Sequence, residues 1–163
     1  MNEHSQYLFR GRKSDNEEWV KGLPNQFISR AIIMTGVKIS GDSTSETLDV
    51  KYEYVDQETV GRFAQEFDKK NNPVFEGDVL QSEIGKLELV NGELKRTGEI
   101  VRAGAVKWGK FSYSHCNEYD CTRTGYYIDF KEGCNTGIPL DIAVDEGYTV
   151  VGNIYDNPEL LKQ

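Results

Sequence analysis

The segment Leu48-Asp49-Val50-Lys51-Tyr52-Glu53-Tyr54 alternates apolar and polar residues without a break. Successive side chains of a strand point to opposite faces, so such a run suits a half-buried β-strand and no helix. A second feature narrows the choice further. Asn91-Gly92 sits between two apolar runs, and both central positions of a type I′ turn need positive φ, which Asn and Gly tolerate. Counting outward from that turn sets Leu89 opposite Leu94 and Glu88 opposite Lys95. The first pair is apolar and the second is of opposite charge, as cross-strand neighbours should be.

Other strand-sized runs recur between turn residues. Tyr7-Leu8-Phe9 and Trp19-Val20 flank the polar turn Ser14-Asp15-Asn16-Glu17 and form a first hairpin. Phe27 to Ile39 is the longest apolar stretch, and its β-branched residues favour a strand. Val60 to Phe67 reads as a strand closed by Asp68 to Pro73. In Val74 to Leu80, the Gly77-Asp78 step suits a turn that enters a strand, with Asp78 satisfying turn amides. Ile100 to Trp108 reads as a strand bulged at Gly104. Ser112 to Arg123 reads as loop, Tyr126 to Phe130 as strand, and 131–147 as mixed and broken. Tyr148 to Ile154 is a final strand. Asn157-Pro158-Glu159 opens a short helix that Asn157 caps, with Leu160 and Leu161 folded back as a lid.

No internal repeat occurs, and the absence of a βαβ rhythm argues against a parallel sheet. The 163 residues read as one domain, 1–163, of an all-β antiparallel class. The formal charge of −8 opposes non-specific binding to nucleic acid, because phosphates must be neutralised by cations. The basic trio Arg10, Arg12 and Lys13 reads as a solvated turn. No segment is long and apolar enough to span a membrane, and residues 1–6 lack the apolar core of a secretory signal. These features lead to an expectation of a soluble protein of the cytoplasm. The odd set Cys116, Cys121 and Cys134 fits reduced thiols.

Candidate chemistry is sparse. His115, Cys116, Cys121 and Cys134 are zinc-type ligands, yet zinc sites use two close pairs, and His115 adjoins Cys116. Adjacent strand residues face opposite ways, so His115 is badly placed to activate Cys116. Glu76 and Asp78 could share a strand face and hold a metal, but they also serve a turn. Asp141, Asp145 and Glu146 read as solvated surface. Trp19, Trp108, Phe9, Phe75 and Tyr155 read as core rather than a ligand groove. The expectation is therefore no catalytic residue, no metal and no cofactor, with a protein as partner. A nucleic-acid-binding barrel is the alternative, and homo-oligomers are compatible with the sequence.

Five segments in order resemble the YopX protein family. They are Phe9-Arg10-Gly11 with Glu18-Trp19-Val20-Lys21-Gly22; Glu58-Thr59-Val60-Gly61-Arg62-Phe63; Val74-Phe75-Glu76-Gly77-Asp78-Val79; Gly104-Ala105-Val106-Lys107-Trp108; and Val151-Gly152-Asn153-Ile154-Tyr155-Asp156-Asn157-Pro158-Glu159-Leu160-Leu161. One departure is Ala64-Gln65-Glu66-Phe67-Asp68, where the family has Thr-Gly-Leu-Lys-Asp. The resemblance implies a small phage or prophage protein. It implies an SH3-like barrel with additional hairpins and a short C-terminal helix, and it brings no catalytic residues.

Overall fold

A computed structural model describes residues 8–27, 30–42, 45–90, 93–114, 120–130 and 137–162. The chain forms two compact units, 1–65 and 66–163. In the first, β1 (Phe9–Arg12), β2 (Trp19–Phe27), β3 (Arg30–Asp42) and β4 (Ser45–Val55) follow one another as antiparallel neighbours. A 3-10 turn at Gln57–Thr59 leads to β5 (Gly61–Phe67), which pairs with β1, so the order is β4-β3-β2-β1-β5. The expected first hairpin is present, with Phe9 opposite Gly22 and Arg12 opposite Trp19. Its turn is held by Asn16 Oδ1, which accepts from Glu18 N at 3.2 Å.

The apolar stretch 27–39 is divided between two strands. β2 runs on through Pro24, which lies opposite Ile33. β1 pairs with β2 only as far as Gly22. Pro24 therefore has no β1 neighbour on one side, and its missing N–H disturbs no ladder there. Ile33 and Phe63 are fully buried, and Val55 is buried. Thr59 closes this unit internally: its Oγ1 accepts from Arg12 N at 2.9 Å and donates to Asp56 O at 2.7 Å.

The second unit has a five-stranded sheet in the order β10-β9-β8-β7-β11. Its members are β7 (Asp78–Val90), β8 (Glu93–Ser114), β9 (Asp120–Asp129), β10 (Gly137–Pro139) and β11 (Thr149–Asn153), preceded by the short β6 (Pro73–Phe75). The register of the β7–β8 hairpin sets Leu89 opposite Leu94 and Glu88 opposite Lys95, as the sequence requires. The turn residues Asn91 and Gly92 themselves lie outside the described residues. Gly77 has φ of 85°, and Asp78 Oδ2 accepts from Phe75 N at 2.7 Å. Behind this turn Val79 and Leu80 are fully buried.

Four expectations need correction. The first concerns Gly104, which is not bulged: Leu80 faces Gly104 and Val79 faces Ala105 in unbroken register, while the shift falls at Lys86/Leu87. The glycine is needed for close approach instead, since a Cβ there would lie 2.5 Å from Ile128 Cγ2 and 2.7 Å from Asp129 O.

The second concerns 112–123, which is largely strand: Phe111 faces Arg123 and Tyr113 faces Cys121. Polar composition there reflects an exposed β9 start, because Cys121 to Thr124 are all exposed. The third concerns the helix. The α-helix, α1, is Leu140–Asp145, not the C-terminal segment. Leu140 and Ala143 are its buried residues, at the i, i+3 spacing of a helix face.

The fourth concerns the C-terminus. Pro158–Leu161 is a 3-10 turn with no buried residue, and Leu161 is exposed. Asn157 makes no capping bond. Its Oδ1 instead accepts from Asn153 N at 3.4 Å and fills the space a side chain at Gly152 would need. Asn153 completes the turn, with Oδ1 accepting from Tyr155 N and Asp156 N, both at 2.9 Å, and Nδ2 donating to Asp156 Oδ2 at 2.7 Å. This segment is held by polar side chains rather than by leucine burial.

Gly104→Ala is expected to force β8 away from β9 and to cost about 1–3 kcal/mol, the usual range for overpacking. Thermal unfolding followed by circular dichroism should show a melting temperature lower by several degrees. Gly125→Ala, whose Cβ meets nothing within 4 Å, is the control and should change little.

Candidate functional site

Unit 1 presents an apolar sheet face that no described segment of the same unit covers. Across the β3–β4 ladder Ile32 faces Tyr54, Met34 faces Tyr52, Val37 faces Val50 and Ile39 faces Leu48. A register shift between Met34 and Gly36 inserts Thr35 and brings Val37 and Ile39 onto the same side as Met34. All eight residues therefore share one face. Toward β2 Ile32 is buried, but Val37 is 57% exposed, Ile39 66%, Leu48 61% and Tyr52 52%. Leu23, opposite Met34, extends the face and is also exposed. Tyr52 and Tyr54 meet edge to face at 5.8 Å. The other face carries Lys38 opposite Asp49, both exposed.

The alternation at Leu48–Tyr54 thus gave the strand and its faces, but not its burial. The signal that marks the exposure is the pairing itself. Two strands of matched apolar pattern run on beyond Met34, where the pairing of β2 with β3 stops.

Beside this face lies a cleft of about 710 Å³ lined by Arg12, Lys13, Asp15, Glu53, Tyr54 and Asp56, among others. Of the basic trio Arg12 and Lys13 line it, and Lys13 is ion-paired. Lys13 Nζ lies 3.3 Å from Glu18 Oε2 and 3.7 Å from Glu53 Oε1. Desolvation would lower the Lys13 pKa. The hydrogen bond to Glu18 and the charges of Glu53, Glu18 and Asp15 outweigh it, so the value is raised. Arg10 stacks over the Trp19 ring at 4.8 Å. Arg10 and Lys13 are thus engaged within the local fold.

In unit 2 the carboxylates serve structure. Asp68 is 4% exposed and accepts four bonds. Oδ1 takes Lys70 N at 2.9 Å and Asn72 N at 2.8 Å; Oδ2 takes Asn72 Nδ2 at 3.0 Å and Val150 N at 2.9 Å. One side chain thereby ties the turn after β5 to β11. Sequence reading assigned Asp68 only to a turn and missed this long-range bond. Asp129 is buried and holds Lys107 Nζ at 2.7 Å. The pair borders a small cavity of about 190 Å³ with Ala105, Phe130, Ile154 and Leu161.

Of Glu76 and Asp78, Asp78 takes the turn role read from the sequence. Asp78 is buried and engaged by Phe75 N, while Glu76 is half-buried. Asp141 and Asp145 are exposed, and their charges, after desolvation, raise the Glu66 pKa. Among the described residues no group of three or more His, Cys, Asp or Glu side chains is placed to hold a metal. Cys121 is an exposed thiol, and His115, Cys116 and Cys134 lie outside the described residues.

The aromatics divide. Phe75 is buried, Phe9, Trp19 and Tyr155 are half-buried, and Trp108 is 47% exposed, packed edge-on to Tyr126 at 4.8 Å. Trp108 is thus not a core residue: it shares a sheet face with Val106, two residues before it, but lies where that face is open. No described helix is long and apolar enough to cross a membrane.

Two antiparallel sheets define a mainly β protein, with polar groups spent on backbone bonds and an exposed apolar hairpin face. The chain belongs to the YopX protein family, whose model matches residues 8–162. A solved structure, protein EF1440 from Enterococcus faecalis, is similar over 94% of this chain and 96% of its own, with a TM-score of 0.55 and 21% identity. That likeness shows the fold. No curated protein matches the chain.

The pKa of Asp68 is lowered. Burial alone would raise it, and the bonds from Asn72, Val150 and Lys70 outweigh burial. A depressed carboxylate pKa adds stability above its ordinary value of 3.8, and that stability is lost as pH falls through the folded-state value. Asp68→Asn is expected to destabilise unit 2 by about 1–3 kcal/mol at pH 7. Urea unfolding from pH 7 down to pH 2 should show the gap between wild type and variant narrowing as the acid side is reached.

Proposed function

We propose that the protein is a non-catalytic module that binds another protein through the β3–β4 face. The observation that carries this reading is the exposure of Val37, Ile39, Leu48 and Tyr52 on one side of a hairpin. Contiguous apolar surface costs solubility and is kept where a partner covers it. The net charge of −8 favours a partner whose contact surface is apolar and rimmed by lysine or arginine, since opposite fields speed encounter. It also disfavours nucleic acid, and the stacked and paired state of Arg10 and Lys13 adds to that. The family resemblance supports a reading of the module as a phage or prophage protein that acts inside the host cell.

An SH3-like barrel belongs to the same proposal. Its support is β8, which pairs with β7 up to Ala105 and with β9 from Ala105 onward. A strand shared in this way can bend between the two halves of a small barrel.

Val37→Ser with Ile39→Ser tests the face. Both side chains are exposed, so stability should change by less than about 0.5 kcal/mol. Proteins cross-linked to the wild type in host extract should be identified, purified and titrated against both forms. The expected result is a dissociation constant at least about tenfold weaker for the variant, equal to about 1.4 kcal/mol. Equal binding by both forms, or co-purified nucleic acid in place of protein, would overturn the reading.

A further inference from the structure

We propose that unit 2 binds a carboxylate between Arg102 and Tyr148, on the sheet face where β11, β7 and β8 lie side by side. The site is separate from the apolar face of unit 1 and calls for a different ligand.

Register brings the groups together. Ser82 on β7 lies opposite Arg102 on β8, and Leu80 lies opposite both Gly104 and Val150. Thr149 faces Gln81, so Tyr148, one residue earlier, comes level with Ser82. Residues level with one another across a sheet share a face, which puts Tyr148, Ser82 and Arg102 in one row. Phe130 follows Asp129, which faces Ala105, and so stands beside Gly104 on that same face. The missing side chain at Gly104 leaves room for it, since a Cβ there would meet Phe130 Cδ1 at 3.0 Å. The rings of Phe130 and Tyr148 lie 5.9 Å apart. Two strands, β7 and β8, separate the backbones that carry them. Tyr148 therefore reaches across the sheet toward Phe130, with its hydroxyl leading.

That hydroxyl is an exception to the general pairing of buried polar groups. Tyr148 is 1% exposed, and its Oη has no hydrogen-bond partner. Buried groups in this state are costly and rare. Arg102 is exposed by contrast. Its guanidinium lies over the Phe130 ring at 4.5 Å and has no carboxylate partner among the described residues. Burial pushes the Tyr148 phenol up; the charge of Arg102 opposes this and that of Glu146 adds to it. The hydroxyl thus keeps its proton at neutral pH and can donate, and the Arg102 charge is near enough to be felt there.

A planar carboxylate meets both demands. One oxygen accepts from the Tyr148 O–H and the other from the guanidinium, whose N–H groups lie in a plane that matches it. A short apolar tail can rest on Phe130. Charge favours a monoanion. The single guanidinium works against the nearby Glu146 and a net charge of −8, and a phosphate dianion would meet twice that opposing field.

The test titrates the full chain with acetate, against chloride at equal ionic strength. The readouts are the melting temperature and the amide NMR signals of Arg102, Phe130 and Tyr148. Wild type should saturate in the millimolar range and melt at a higher temperature when loaded. Tyr148→Phe deletes a hydroxyl that has no partner, so without acetate it should melt no lower than wild type, yet bind acetate at least about tenfold more weakly. Arg102→Gln, at an exposed position, should keep the fold and lose saturable binding. Glu146→Gln removes the opposing charge and should tighten binding by about two- to fivefold. A blocked tripeptide with a central glutamate separates the sources of the group: tighter binding than acetate assigns the site to an acidic side chain of a partner, and equal binding assigns it to a free acid. Three results would overturn the proposal. One is an unliganded Tyr148→Phe that melts several degrees lower, since the hydroxyl would then have a structural partner. The second is a response that is absent, or equal in wild type and both site variants, which marks an adventitious ion only. The third is tighter binding of inorganic phosphate than of acetate. The Val37/Ile39 test stands apart from all of these, because those residues lie in unit 1.

Discussion

The backbone ladder of β8 is the constraint on which unit 2 depends. This strand gives one edge to β7 and the other to β9. Where both ladders meet, at Gly104 and Ala105, the sheet approaches Ile128, Asp129 and Phe130 too closely for any side chain at 104. Val79, Leu80, Val106 and Ile128 then pack without exposure. The glycine loses more conformational freedom on folding than another residue would. The packing it permits offsets that loss.

Polar side chains do most of their work on the backbone. Asp68 gathers four donors, Asp78 holds the turn before β7, Asn153 organises the turn after β11 and Thr59 bridges β1 to the 3-10 turn. Each binds amides that would otherwise be buried without partners, a loss of order 1–3 kcal/mol per group. Such use explains why segments shared with the YopX family are rich in Gly, Asp and Asn. Of the pair Glu76 and Asp78, Asp78 is spent this way.

Apolar side chains behave in the opposite manner on the β3–β4 hairpin. Val37, Ile39, Leu48 and Tyr52 carry the pattern of a core and lie in water. A hairpin that outruns its neighbour strand has nothing to pack on within its own unit. The free energy of covering that face is therefore available to a partner, at roughly 25 cal/mol per Å² of apolar area removed from water.

Much of the β architecture is legible in the residues. Periodicity marks β4, Asn91-Gly92 sets the β7–β8 register through its neighbours, and Ser14–Glu17 marks the first hairpin, because each signal is local. α1 escapes notice since six residues hold less than two turns, too few for a periodic signal. The helix at 140–145 forms because Leu140 and Ala143 find a core to enter, which no local pattern reveals. Likewise the sequence determines which residues share a strand face, since that follows from backbone stereochemistry alone. Whether that face is buried, as at Ile128, or left open, as at Leu48, was decided by tertiary structure, because burial depends on which distant segment arrives to cover it.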